Sequence, residues 1–139
     1  FNRREFITRD RLLAAAGFRR EVTDVKVKIS ASVKRSQQGA EVVIAATIDP
    51  SRLFFSTVDG KRTGALDILA VCFDERGAAL GQYYQRADIE LSDANYQKVL
   101  KSGLPYSVRF PTNPGVRQVR LVVFDYRADL IGSVDRSVF

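Results

Sequence analysis

Apolar and polar side chains alternate strictly through residues 25–34, with Val25, Val27, Ile29, Ala31 and Val33 on one face and Lys26, Lys28, Ser30, Ser32 and Lys34 on the other. A period of two is the signature of a half-buried β-strand. After Ser-Gln-Gln-Gly the chain returns with Val42, Ile44, Ala46 and Ile48 in phase, which predicts a hairpin. Further strands are predicted over 65–73 (ALDILAVCF), 82–91 (QYYQRADIEL), 104–110 (LPYSVRF), 118–126 (QVRLVVFDY) and 131–139 (IGSVDRSVF). Residues 58–64 (VDGKRTG) read as a loop and 74–77 (DERG) as a tight turn. In Asn113-Pro114-Gly115, proline and glycine stand at the central positions of a type II turn. Seven strands joined by short turns predict an all-β fold, an immunoglobulin-like antiparallel β-sandwich of about seven strands.

Two stretches switch to a helical period. In 91–104 Ser92 is placed to cap, Leu91 and Tyr96 to staple and Gly103 to stop a short inserted helix. Its apolar face would be Tyr96, Val99 and Leu100. Residues 7–18 repeat the scheme as a short N-terminal helix, with Thr8 as cap, Ile7 against Leu12 and Gly17 as stop. The division this implies is a basic helical segment over 1–21 and the sandwich over 22–139.

The strand faces also predict a surface. If Leu69, Val71 and Phe73 face the core, then Ile68, Ala70 and Cys72 face outward. Val122 and Phe124 likewise face outward, opposite Val119, Leu121 and Val123. Were these strands neighbours, the outward rows would merge into an apolar patch, which isolated domains seldom leave bare. The N-terminal helix offers Leu12 and Leu13 as a cover; otherwise a neighbouring domain or a second copy docks there, with weak self-association as the result.

Composition narrows the chemistry. With 139 residues and 45% apolar content the chain can bury one sizeable core. It has no methionine, so it is expected to be a piece of something longer. The net charge of +6 is local: residues 1–36 carry ten Lys/Arg and four Asp/Glu, and residues 37–139 carry twelve of each. Without aromatic or glycine-rich company this reads as a solvated basic face, and no nucleic-acid partner is expected. No apolar run approaches the ~20 residues of a membrane helix, so no membrane insertion is expected. There is no histidine, which removes Ser/His and Cys/His pairs and the commonest transition-metal ligand. Cys72, the single cysteine, reads as a packing residue with its thiolate disfavoured by burial. The carboxylates, Asp67 and Asp125 among them, mostly fall at strand ends or turns, where they cap backbone amides. No catalytic residue, cofactor or metal ligand is assigned. Tyr83, Tyr84 and Tyr126 could serve a carbohydrate-binding module, although adjacent residues on a strand face opposite ways, so at most one of Tyr83 and Tyr84 is exposed.

From about Asp49 onward, the order of IDPSRLFF, DGKRTGALDILAVCFDERGAAL, DIELSDANYQKVLKSGLPYSVRF and NPGVRQVRLVVFDYRADLIGSV resembles the C-terminal region of bacterial von Willebrand factor type A-related proteins. In the last block the matching positions are Pro114, Gly115, Val119, Leu121, Val123, Asp125, Gly132 and Ser133. The resemblance implies an immunoglobulin-like sandwich downstream of a type A domain in a secreted or periplasmic bacterial protein. It implies no enzyme activity. The type A metal motif, Asp-x-Ser-x-Ser, is absent, so that metal site is not carried over. The expected function is a non-catalytic structural or protein-protein interaction module, with a carbohydrate-binding module as the alternative.

Overall fold

The computed structural model describes residues 3–17 and 21–138, which form two helices and eight strands. Helix α1 (Arg3–Gly17) precedes β1 (Val27–Ser36), β2 (Gly39–Ile48), β3 (Ser56–Val58), β4 (Lys61–Phe73) and β5 (Ala79–Ser92). Helix α2 (Asp93–Ser102) leads to β6 (Leu104–Thr112), β7 (Gln118–Asp125) and β8 (Leu130–Ser137). All pairings of these strands are antiparallel. One sheet has the order β1-β2-β6. In the larger sheet β4 is flanked on one side by β5, and on the other by β3 at its start and β7 at its end; β8 lies beyond β7.

The sheets face each other across a core that takes the in-phase residues of every strand: Ile29 of β1, Val42, Ile44 and Ile48 of β2, Val108 and Phe110 of β6, and Val119, Leu121 and Val123 of β7. The expected faces of β1, β2 and β7 are therefore the observed ones, and the fold is an all-β sandwich with one inserted and one N-terminal helix. The chain entering β1 is stitched to the last strand, since Ser133 N donates to Val22 O at 2.8 Å and Val25 N to Ile131 O at 3.2 Å. At this crossing Gly132 leaves no room for a side chain: a Cβ there would lie 2.1 Å from Val25 O.

Four local expectations are corrected. Residues 58–64 are not a loop but the tip and start of a β3–β4 hairpin, with Val58 opposite Lys61. Asp59 (φ 50°) and Gly60 (φ 75°) form its two-residue turn, both in the left-handed region whose twist matches a hairpin. The Asn113–Val116 turn is not type II, because Gly115 has no positive φ. Val116 N donates to Asn113 O at 3.1 Å, while the Asn113 side chain takes Gly115 N at 2.7 Å. Thr8 does not cap α1, which begins at Arg3 and places Thr8 in its buried interior. In α2, Ser92 caps and Gly103 stops as expected, but only Val99 is buried; Leu100 is exposed.

The largest correction concerns β4. Ile68, Ala70 and Cys72 do not face outward: they stand opposite Val123, Leu121 and Val119 of β7 and lie in the sandwich core with them. Directly opposed residues of an antiparallel pair share a face. Once β7 places Leu121 inward, register forces Ala70 inward too, and Leu69 and Val71 become the outer row.

Candidate functional site

The outer face of the large sheet carries the second apolar layer. Leu12 and Ala15 of α1 pack there on Leu69, Val71, Val122, Phe124 and Ile131. Helix α1 has no basic residue in its own last turn. The sheet supplies one, as Arg120 of β7 donates through Nη1 to Ala16 O at 2.7 Å while Nε and Nη2 clamp the Asp135 carboxylate of β8. A cation is thus held against the negative end of the helix dipole. Arg11 adds a second tether, 3.2 Å from Asp129 and over the Phe124 ring. Of the residues predicted to form one surface, Leu12, Val122 and Phe124 meet in this layer. Ile68, Ala70 and Cys72 lie on the far side of the sheet, and Leu13 is 43% exposed.

Beside the covered layer, α1 and the outer face of β4 and β5 border an open cavity of about 440 Å³. Among the residues that line it is Asp67, which the sequence groups with the turn carboxylates. Asp67 sits mid-strand, 3% exposed, opposite Phe124 on one side and Arg86 on the other. Its Oδ1 accepts from the Tyr84 hydroxyl. Burial above all, and then this bond, pushes the Tyr84 phenol up to about 12. Oδ2 has no hydrogen-bond partner; the Arg4 guanidinium stands 4.0 Å away, beyond hydrogen-bond range. Thr8 Oγ1, from the helix side, is also unpartnered, and these are the two such buried side-chain atoms among the described residues. Both residues line the same cavity.

A signal for Asp67 was present. A charged residue in phase with Leu69, Val71 and Phe73 argues that their row is not the sandwich core. Arg120, in phase with Val122 and Phe124, makes the same argument for β7.

Asp74 and Asp125 behave as expected of carboxylates at turns and strand ends. Asp74 Oδ1 takes the amides of Arg76 and Ala78, and buried Asp125 takes those of Phe54, Arg127 and Ala128. Burial pushes the Cys72 thiol up, against a smaller opposite effect of Thr112. Tyr83 stacks on Phe110 within the sandwich, whereas Tyr84 is 51% exposed outside it. Among the described residues no group of three or more His, Cys, Asp or Glu is placed to hold a metal ion, and no helix is long and apolar enough to cross a membrane. The basic excess is divided: α1 lies on the large sheet, and Lys28 and Lys34 project from the outer face of the small one.

A second groove of about 600 Å³ continues along the outer face past Arg4 and Arg86, which line both. Here Phe54 and Val58 are exposed, with the Arg127 guanidinium over the Phe54 ring. Alongside runs β5, fourteen residues long and paired only with β4. Comparison with known proteins adds no relative: no family model, no curated protein and no solved structure matches the chain.

Proposed function

We propose that this chain is a non-catalytic protein-interaction module, an immunoglobulin-like sandwich that docks against a von Willebrand factor type A-like domain upstream of it in an exported bacterial protein. The observation that carries the reading is the β5 edge. The longest strand of the described fold keeps one side unpaired, next to a groove with two exposed apolar anchors and an arginine, the residue types that make up interface cores. An extended segment added to such an edge gains main-chain hydrogen bonds, and the alternating side chains supply selectivity. The non-catalytic part is supported by the nucleophile inventory: the chain has no histidine, and Cys72 is buried with its thiol pushed up.

Amide exchange compared between the full-length protein and this chain alone tests the docking. Slower exchange along Ala79–Ser92 in the full-length protein is expected, and Val58→Ser should reverse it. Equal exchange in both would end the reading.

A further inference from the structure

We propose that the free edge of β5 pairs with the β5 edge of a second copy of this chain, antiparallel about a two-fold axis at Ala87, to give a weak dimer with one continuous sheet. It rests on the docking reading in taking β5 as the open edge, and names as occupant a second copy, which a docked upstream domain would exclude. The edges of the described fold differ in what they present to an incoming strand. At one side of the small sheet β6 carries Pro105 and Pro111, which have no amide hydrogen to donate. At the other side β1 turns out Lys28 and Lys34 with serines between them and no acid, a common way to blunt an edge. In the large sheet β3 is three residues long, and β8 is already met by the chain at Val22 and Val25. Only β5 is long and unblocked: its fourteen residues include neither proline nor lysine, and its register with β4 is regular from Gly81 to Ser92.

The charges along β5 select the partner. Its outer row reads Gln82, Tyr84, Arg86, Asp88 and Glu90, all exposed. A two-fold interface puts the same surface on both copies, so a strand that pairs with itself must be its own complement. With the axis at Ala87, Arg86 stands opposite the partner's Asp88 and Asp88 opposite the partner's Arg86, while Tyr84 faces the partner's Glu90. Opposite charges directly across two strands stabilise the pair and like charges oppose it. Neighbouring registers are worse. An axis at Arg86 or Asp88 sets like charges face to face, one at Ile89 sets Asp88 against the partner's Glu90, and one at Gln85 leaves Arg86 with no acid opposite. Arg86 Nε stands 3.5 Å from Asp88 Oδ1 on its own strand, and both side chains are open enough to reach across, at 45% and 82% exposure. The inner row agrees with this register. The small Ala87 meets its own copy at the axis and Tyr83 meets the partner's Leu91, which continues an apolar row that already leans on the sandwich core.

The test is sedimentation equilibrium of the intact chain from about 10 μM to about 1 mM, the range of weak contacts. The parent should pass from monomer to dimer within it. Arg86→Asp alone, or Asp88→Arg alone, sets like charges across the axis and should weaken association at least about tenfold. An equimolar mixture of the two variants restores opposite charges and should associate within about threefold of the parent, as should the double variant R86D/D88R. Both positions are exposed, so circular dichroism should show the fold unchanged in each. The proposal is overturned if the parent stays monomeric throughout, if a single variant associates like the parent, or if neither the mixture nor the double variant regains association. The exchange comparison with the full-length protein, made at low concentration where the chain is monomeric, reads the upstream domain alone, so either reading can fail while the other stands.

Discussion

In the large sheet β4 and β7 bury both of their faces over the stretch where they pair, and the two burials are of different kinds. Toward the sandwich, β4 and β7 meet a second sheet, so each inward side chain is held by strands paired along their whole length. Toward α1, the same strands meet one helix that contributes Leu12, Ala15 and the edge of Ala16, secured by the Arg120 clamp. Residues 119–125 of β7 are buried throughout because they serve both layers. A strand hydrophobic on both faces is thus no guide to which face holds the domain together. That follows from what covers it.

The comparison breaks most sharply at Ile68. Ile68→Ala should cost about 2–5 kcal/mol of global stability, the usual range for emptying a packed core site. Urea unfolding should show one transition moved to lower denaturant; an unchanged midpoint would mean that the inner face is not the one that matters. Leu12→Ala removes a side chain as fully buried, at 3% exposure, but its loss, about 2–3 kcal/mol by size, should fall on α1 alone. Amides of α1 should exchange faster while those of β2 and β7 keep their protection, and Leu13→Ser, at an exposed position, should do neither. Equal loss of protection in helix and sheets after Leu12→Ala would show that the two layers are one cooperative unit.

A smaller effect is expected from Asp135→Ala. This leaves the Arg120 guanidinium without its carboxylate and should cost about 1–2 kcal/mol, the penalty of a poorly satisfied buried donor. The clamp on Ala16 O would loosen, so helical circular dichroism should fall before the sheet melts. Coincident loss of both signals would argue against a separate helix layer.

The mildest test uses pH. The phenols of Tyr84, on the outer face, and Tyr106, bordering the inner core, are each pushed from 10.0 up to about 12, chiefly by burial. Raised folded values mean that the stabilisation is complete below pH 10 and is lost as pH rises toward 12. The unfolding midpoint should decline over that interval, with Tyr84→Phe and Tyr106→Phe each flattening part of the decline. A variant that leaves the alkaline slope unchanged would show that its phenol ionises alike in the folded and unfolded chain.

Sequence carried the strand count nearly to completion, because most strands bury only one face and so write a period of two into the chain. It missed β3, although Asp59-Gly60 is the dipeptide a two-residue hairpin turn demands. The three-residue strand before it is too short to show a period. The faces of β4 are inverted in the sequence reading for a different reason: from Ile68 to Phe73 both rows are apolar, so the period of two does not say which one faces the core. Only register with β7 decides, and register is a long-range property. The candidate site was least legible. Thr8 comes from the first helix, Asp67 from β4 and Tyr84 from β5, and nothing local brings them together. What could be read was the anomaly of Asp67 itself, a charge set in a row of hydrophobes.

The Arg120 clamp bears on the order in which the molecule is made. Of the described elements helix α1 is the earliest to leave the ribosome, yet the residues it rests on, Val122, Phe124 and Ile131, and the cation that caps it, belong to the last two strands. A fifteen-residue helix is marginal by itself in water. Its start therefore waits for its end: the N-terminal segment emerges without a surface to fold on until β7 and β8 have been synthesised and paired. For most of translation, Leu12 and Ala15 are open to whatever chaperone or neighbouring chain meets them first.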